Sequence, residues 1–281
     1  MKKSVLGLLF LILLGFAFQA CDKIEPPYKE VGGGQATDDT RKVLLEDYTG
    51  HTCVNCPAAA KVGHQLVELF SGKVIMIGIH AGYFADPKPA PFNNDYRTEA
   101  GNAWDVFFGM SAAGNPIGMV NRKSSQGVYA ITNGNWGTEI NAVIEAKASI
   151  TLDIATEYNS SSRSLKATLT SKVLQDITTA LKLQVLIVED SIVSAQRNND
   201  ASIGSPTILD YVHRHVMRGS MNGSWGDDLA AAGQALAGAT FEKSYTQTLN
   251  SSLNEKHVTV VAFVFDATTY EVIQVEEKHI Q

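Results

Sequence analysis

The chain lacks the basic character that nucleic-acid-binding proteins need. Its 281 residues contain 23 Lys and Arg against 29 Asp and Glu, which gives a net charge of -6. Aromatic and basic residues are not interleaved in any segment. Because nucleic-acid phosphates are bound by clustered positive charge, this composition excludes nucleic acid as a partner. The hydrophobic content of 44% is instead typical of one large or two medium globular domains.

Cysteine is also scarce, and the three cysteines of the chain include one Cys-x-x-Cys pair, Cys53 and Cys56. The pair is open to three interpretations: a redox-active disulfide, a structural disulfide and half of a zinc site. Zinc normally needs four ligands, and His51 and His64 are the neighbours that would have to complete the set, so the ligand count disfavours zinc. The short spacing favours redox activity over structure, because so small a loop stabilises a fold little through chain entropy.

Long apolar runs are absent apart from residues 5–18, which are too short for a comfortable membrane span. Two lysines precede this run and Ala20-Cys21 follows it, so residues 1–20 resemble a bacterial lipoprotein signal peptide with Cys21 as the lipidated residue. Ordinary secretion with a free Cys21 is the alternative. An unpaired thiol is a liability in an oxidising compartment, which favours the lipid and leaves Cys53 and Cys56 to pair with each other.

The apolar pattern predicts a tether at residues 21–40, followed by an α/β domain at 41–147. A strand at 43–48, an amphipathic helix at 58–70 and a strand at 74–79 make a βαβ unit with parallel pairing. The inward positions of this helix are Val62, Leu66, Leu69 and Phe70. A proline-rich loop at 83–96, a helix at 97–108, a strand at 127–131 and a helix at 136–146 complete the predicted domain.

Residues 148–281 change to a period of two, and about seven short strands joined by turns predict an antiparallel β-sandwich of the immunoglobulin-like class. One predicted strand, at 209–217, carries His213 and His215 on the same face. Two imidazoles in this arrangement are a possible metal site. Without a third ligand, the simpler interpretation is that they are hydrogen-bonded strand residues at a domain interface.

A strand that ends in an acid, a Cys-x-x-Cys-Pro that opens a helix, and an X-Pro before a later strand together resemble the thioredoxin fold. With the signal peptide, the segment at 46–57 and the His-Arg-His-Val run at 213–216, the chain resembles the outer-membrane-protein-28-related lipoproteins of Bacteroidetes-type bacteria. The resemblance covers nearly all of the mature chain. It implies an α/β thioredoxin-like domain followed by an all-β immunoglobulin-like antiparallel sandwich.

The resemblance to thioredoxins also implies roles for four residues. Cys53 would be the exposed nucleophile, Cys56 the buried resolving thiol and Pro116 the cis-proline that faces the disulfide. Asp47 would be the buried acid that moves a proton, since burial can raise a carboxyl pKa toward neutrality. The alternative for Asp47 is a carboxylate at the sheet edge that is hydrogen-bonded to a turn, and Glu46 points to the other face of the strand.

We therefore expect an outer-membrane lipoprotein of the cell envelope, facing the periplasm or the cell surface, that exchanges thiols and disulfides with extracytoplasmic proteins. Its partners would be protein thiols or disulfides, it would meet the membrane through the lipid on Cys21, and it needs no dissociable cofactor. The rival expectation is a non-enzymatic binding lipoprotein that uses both domains as a scaffold for an unidentified envelope partner.

Overall fold

The structure of the chain, a computed structural model, describes residues 40–281. The predicted signal peptide, nearly all of the predicted tether and the predicted lipid-bearing Cys21 lie outside the described residues. Within residues 40–281, no helix combines the length and the apolar composition that crossing a lipid bilayer requires.

Thirteen strands and four α-helices form within the described part of the chain. The strands are β1 (Val43–Thr49), β2 (Val74–His80), β3 (Ile117–Val120), β4 (Ile150–Asn159), β5 (Ser164–Val173), β6 (Leu181–Glu189), β7 (Ile192–Arg197), β8 (Thr207–His213), β9 (Val216–Ser220), β10 (Asp227–Ala230), β11 (Thr240–Thr248), β12 (Val258–Asp266) and β13 (Val272–His279). The helices are α1 (Cys56–Leu69), α2 (Glu99–Phe108), α3 (Met110–Ala113) and α4 (Trp136–Asn141).

The first half of the described chain contains the βαβ unit that the apolar pattern predicts. β1 pairs with β2 in parallel, from Val43 beside Val74 to Thr49 beside His80, and α1 connects the two strands. β3 pairs with the other edge of β1 in the antiparallel direction. The Cys-x-x-Cys segment therefore starts where the central strand of this unit ends and runs into the first turn of α1.

The buried face of α1 is centred on the small residues Ala59 and Gly63, which bring the helix close to the sheet. A Cβ atom at Gly63 would lie 2.6 Å from the Met76 side chain. The prediction that Leu69 points inward is wrong, because Leu69 is 71% exposed. At 3.6 residues per turn, Leu69 lies about 120° around the helix from Gly63 and so falls outside this face.

The predicted strand at 127–131 does not form as an element. Two isolated bridges occur there instead, between Ser125 and Val128 and between Gly118 and Ile131. The helix predicted at 136–146 ends early as α4, at Asn141.

The strands form three sheets, which make the described chain mostly β. The largest has eight strands in the order β13-β12-β6-β9-β2-β1-β3, with β10 also paired to β6; the others are β11-β5-β4 and β7-β8. One apolar core joins the three-stranded sheet to one face of β6 and β12. The opposite face of the large sheet carries a second core together with α2. β6 is buried on both faces, so its residues read as a nearly continuous apolar run.

Strands from both sides of residue 147 share the large sheet. The link is a parallel contact of β2 with β9 at Gly78 and Val216, where the Gly78 amide donates to the His215 carbonyl at 2.7 Å. Strand pairs formed within residues 148–281 are antiparallel. The predicted boundary near residue 147 thus falls in the connection between α4 and β4, while the sheet itself continues across it.

Candidate functional site

Cys53 and Cys56 form a disulfide with an S–S distance of 2.05 Å. Cys53 lies in the loop that follows β1, and Cys56 is the first residue of α1, with Pro57 behind it in the first turn. Both cysteines are 2% exposed. The expectation that Cys53 is exposed is therefore wrong.

The disulfide is buried because the β7–β8 hairpin, which we call the cap, lies against the cysteine loop. The Gln196 side-chain amide donates to the carbonyl of Cys53 at 2.9 Å and to that of Gly50 at 3.3 Å. The next residue, Arg197, donates its backbone amide to the His51 carbonyl at 2.8 Å. These contacts link residues about 140 positions apart, and no local sequence signal marks Gln196 as part of the site.

A second segment holds the cysteine loop from the side of β2. The carbonyl of Phe84, in the turn Tyr83–Ala85, accepts hydrogen bonds from the Thr52 amide at 3.1 Å and the Thr52 hydroxyl at 2.8 Å. Gly50 is packed so closely here that a Cβ atom on it would lie 2.3 Å from the Phe84 carbonyl carbon. The start of the proline-rich segment at 83–96 is therefore hydrogen-bonded to, and closely packed against, the loop that carries Cys53.

Asp47 lies in β1 and is 2% exposed. Its Oδ1 atom has no hydrogen-bond partner among residues 40–281. Burial disfavours the charged form and raises the pKa of Asp47 to about 7. The carboxyl group can therefore hold or release a proton near neutral pH, which is a property that proton transfer requires.

A small polar cavity of about 30 Å³ lies behind the disulfide and is large enough for a water molecule. Asp47 and Cys56 both line it, and so do Gln196 of the cap and two buried histidines, His80 and His213. Both nitrogens of His80 and the Nε2 atom of His213 are buried without a partner in the described structure. Sulfur, carboxyl and imidazole groups thus face one shared space.

The imidazoles around this cavity are held neutral by burial. Burial, followed by the proximity of His213, places the pKa of His80 well below its usual range. Burial likewise lowers the pKa of His213 to about 4. Their rings are 5.7 Å apart. Neutral imidazole both donates and accepts a hydrogen bond, so these rings suit proton transfer without adding charge to the cavity.

His213 and His215 do not share a strand, which corrects the prediction of one strand at 209–217. β8 ends at His213, β9 begins at Val216, and His215 between them has a left-handed backbone with φ 53°. His215 faces His64, which lines the cavity, at a ring distance of 5.1 Å, but His215 itself is not a lining residue. Within residues 40–281, no group of three or more His, Cys, Asp or Glu side chains is arranged to hold a metal ion.

Pro116 lies just before β3, and the Asn115–Pro116 peptide bond is cis. The Asn115 side chain donates to the Tyr48 carbonyl at 3.3 Å, so this turn is attached to the end of β1, two residues before the cysteine loop begins at Gly50. Pro116 is half-buried and is not among the residues that line the cavity. The structure therefore brings Cys53, Cys56 and Asp47 together and places Pro116 at the neighbouring strand end.

Comparison with known proteins gives a family and a fold. The sequence model of the family described as outer membrane protein Omp28 matches residues 102–281. This match leaves out Cys53, Cys56 and Asp47, which precede residue 102. A search of curated proteins finds no match.

Among solved structures, HBP35 of Porphyromonas gingivalis is similar at 19% identity and a TM-score of 0.62, over 86% of this chain and 76% of that one. A protein from Agrobacterium tumefaciens is similar at 8% identity and a TM-score of 0.52, over 86% of this chain and 96% of that one. A domain of the outer membrane lipoprotein Omp28 from P. gingivalis aligns with 48% of this chain and 89% of its own, at 24% identity and a TM-score of 0.33. At these identities, the first two likenesses concern the fold alone.

Proposed function

The chain belongs to the outer membrane protein Omp28 family, whose place is the outer membrane of the cell envelope, and from that premise we propose that it is a lipoprotein that exchanges disulfides with envelope proteins through Cys53 and Cys56. A lipid on Cys21 anchors it. The partners are proteins that carry thiols or disulfides.

The proposal includes a finer description of the fold. Residues 41–147 form a thioredoxin-like unit, which is supported by the β1–α1–β2 crossover with the cysteine pair at the junction of strand and helix. Residues 148–281 form an immunoglobulin-like sandwich, which is supported by the packing of β4, β5 and β11 on β6 and β12. In this arrangement the sandwich supplies the cap that covers the cysteine loop.

One observation carries the functional proposal: Asp47 and Cys56 line the same buried cavity. A disulfide with a purely structural role needs no acid behind it. Burying a carboxyl group without a partner destabilises the fold, and the cost grows as the group ionises. A function that uses the Asp47 proton next to the Cys56 sulfur explains why the fold tolerates that cost.

The reaction balances as a two-electron exchange. A partner thiolate attacks Cys53 Sγ, the bond to Cys56 Sγ breaks, and Cys56 leaves as a thiolate that takes a proton from Asp47. A second thiol of the partner then attacks the partner's sulfur in the mixed disulfide and releases Cys53. The partner dithiol is oxidised, the Cys53–Cys56 disulfide is reduced, and the same steps in reverse oxidise a partner.

The cap sets a condition on this chemistry. Cys53 is reached only when the Gln196 amide moves away from the Cys53 carbonyl, because this contact lies over the loop. A net hydrogen bond contributes only about 1 kcal/mol, so local opening of the hairpin is an accessible motion. Access therefore requires a partner that displaces the cap, or a thiol small enough to enter when the cap opens.

The test is a redox titration of the full chain against glutathione buffers, with dithiothreitol and a reduced protein dithiol as alternative reductants. We expect both dithiothreitol and the protein dithiol to reduce the Cys53–Cys56 disulfide under native conditions. We also expect Cys53→Ser to abolish turnover of an insulin-type disulfide substrate while the chain remains folded. A disulfide that dithiothreitol reduces only after unfolding would overturn the proposal.

A second candidate function is non-enzymatic binding of an envelope partner, and two observations favour it. Both cysteines are 2% exposed, and the family match lies entirely on residues 102–281. If the disulfide resists native reduction, the fold serves as a scaffold and binding is the function. In that case Cys53→Ser would lower stability and leave partner binding unchanged.

A further inference from the structure

An open groove of about 510 Å³ lies beside the cysteine loop, on the side of Thr52. The proline-rich segment supplies most of its wall, including Tyr83, Phe84 and Phe92, and the cap supplies Arg197. Tyr83 is 70% exposed and Phe84 is 37% exposed. An aromatic wall with a few polar groups, at this volume, is typical of a ligand-binding site.

The groove also carries positive charge. The Lys88 ammonium lies 4.2 Å from the centre of the Tyr83 ring, and the Arg197 guanidinium lies 5.1 Å from that of Phe92. Asp86 offsets part of the Lys88 charge at 3.7 Å. The Arg197 side chain is exposed and forms no ion pair with a residue in 40–281. A stacked, unpaired guanidinium is well suited to bind a carboxylate.

The groove adjoins the reacting sulfur through two short chain segments. Thr52, which lines the groove, immediately precedes Cys53 and is hydrogen-bonded to Phe84. Arg197 immediately follows Gln196, whose amide covers the Cys53 carbonyl. A ligand in the groove therefore contacts both the loop that carries Cys53 and the strand that closes it.

We propose that this groove recognises the redox partner by binding an extended peptide segment in which an aromatic side chain and a carboxylate flank the partner's cysteine. The aromatic side chain packs on Tyr83 and Phe84, and the carboxylate pairs with Arg197. This inference rests on the proposed exchange at Cys53 and names the class of its substrate.

The same contact places a partner beside the covered disulfide. Because Gln196 and Arg197 are consecutive in β7, a carboxylate paired with Arg197 holds the partner next to the strand whose Gln196 amide is bonded to the Cys53 carbonyl. The partner is then in position when the cap opens, whereas partners without the acidic and aromatic pattern are not retained there.

The first measurement is binding without chemistry, using the full chain with its disulfide intact. Two labelled peptides, Phe-Glu-Ser-Phe-Glu and Gly-Lys-Ser-Gly-Lys, are compared by fluorescence anisotropy. We expect the acidic aromatic peptide to bind about tenfold more tightly, and Arg197→Glu or Tyr83→Ala to remove most of this preference. Lys123→Glu and Leu236→Ala are matched controls, because both side chains are exposed and lie outside the groove. Equal binding of the two peptides would overturn the inference.

The second measurement uses the same peptides with Cys in place of Ser and follows reduction of the Cys53–Cys56 disulfide, in which two peptide thiols become one peptide disulfide. The acidic aromatic peptide is expected to react about tenfold faster, and only the groove variants should lose this advantage. Dithiothreitol should reduce the two control variants at the wild-type rate. If dithiothreitol reacts but the two peptides react equally, the groove inference fails. If dithiothreitol does not react with the native chain, the proposed exchange fails, and the anisotropy result decides the groove.

Discussion

Glu46 and Asp47 are consecutive in β1, and their carboxyl groups are buried on opposite faces of the sheet. Glu46 is 0% exposed and accepts hydrogen bonds from Arg122 at 2.9 Å (Nε) and 2.7 Å (Nη2). The Arg122 guanidinium also lies 4.3 Å from the centre of the Trp104 ring. Asp47 is 2% exposed, and its Oδ1 atom has no partner among the described residues.

Glu46 and Asp47 are therefore buried in two different electrostatic environments. On the Glu46 side the charge is matched by a guanidinium in fixed geometry, so the pair organises the core between the sheet and α2. On the Asp47 side the charge is unmatched, so burial raises the pKa to about 7 and leaves a proton available beside Cys56. Glu46 is paired inside the fold, whereas the unpaired Asp47 destabilises the fold, a cost that the proposed exchange reaction would explain.

The largest expected effect comes from breaking the Glu46–Arg122 pair. Glu46→Gln leaves the Arg122 charge buried without its counter-charge, so the free energy of unfolding at pH 7 should fall by about 3–5 kcal/mol. Urea denaturation measures this directly. The control is the double variant Glu46→Met with Arg122→Met, which should lose less than the single variant because no charge is left unpaired. A loss below about 1 kcal/mol for Glu46→Gln would show that the pair is not structural.

Asp47→Asn, in contrast to Glu46→Gln, should gain unfolding free energy relative to the wild type as pH rises. The pKa of Asp47 is about 7 in the folded chain, against an ordinary value of 3.8 for an aspartate in water. Between these pH values the unfolded chain releases the proton and the native chain keeps it, so the stability of the wild type falls as pH rises from about 4 to about 7 and then levels off. The shift corresponds to about 4 kcal/mol. Asp47→Asn should remove this pH dependence.

The measurement is the difference in unfolding free energy between Asp47→Asn and the wild type, taken across pH 4 to 8. This difference should grow in favour of the variant as pH rises. The constant offset from an amide in the cavity does not affect the slope. A difference that does not change with pH would mean that Asp47 ionises normally in the fold.

Substitutions of Asp47 and of Glu46 should affect the rate of the exchange reaction differently. Asp47→Asn removes the proton donor for the leaving Cys56 thiolate, and the rate constant for reduction by a protein dithiol should fall about a hundredfold below pH 7. The rate ratio of wild type to variant should shrink as pH rises through about 7, where Asp47 is deprotonated. Glu46→Gln, measured under conditions where it is folded, should keep the wild-type rate. If both variants lost the same fraction of the reduction rate, Asp47 would have no special role in the reaction.

The smallest expected effect concerns the cap. Gln196→Ala removes the side-chain hydrogen bonds to the Cys53 and Gly50 carbonyls, so dithiothreitol should reduce the disulfide up to about tenfold faster, the equivalent of about 1.4 kcal/mol. Gln184→Ala is the matched control. Gln184 is also buried, but its side-chain amide donates to Ser220 and Asn222, which are not part of the cysteine loop. A control that accelerates the reaction equally would point to general destabilisation and not to the cap.

Local patterns in the sequence were sufficient for the region around the disulfide. The apolar runs before and after α1 have the lengths of buried strands, so the βαβ unit follows from periodicity. Strand alternation also assigns Glu46 and Asp47 to opposite faces. Leu69 was wrongly predicted to point inward because the buried face of α1 is centred on Gly63. A closely packed glycine adds nothing to a hydrophobic pattern.

Contacts between distant segments were not predictable in the same way. The single strand expected at 209–217 breaks at His215 because a left-handed backbone there lets β8 join β7 while β9 joins β2 and β6. The exposure of Cys53 was predicted wrongly because Gln196 covers the loop from the other half of the chain. The residues near Cys53 in the sequence give no indication of the contact with Gln196.

The sequence by itself determined the chemistry that is available: a Cys-x-x-Cys pair at the junction of strand and helix, and two adjacent acids on opposite faces of one strand. The tertiary structure decided how each group is used. Arg122, which pairs with Glu46, follows it by 76 positions, and the cap over Cys53 comes from 143 positions away. Burial and pairing set both the pKa of a carboxyl group and the access to a disulfide, and these depend on neighbours in space that no local pattern specifies.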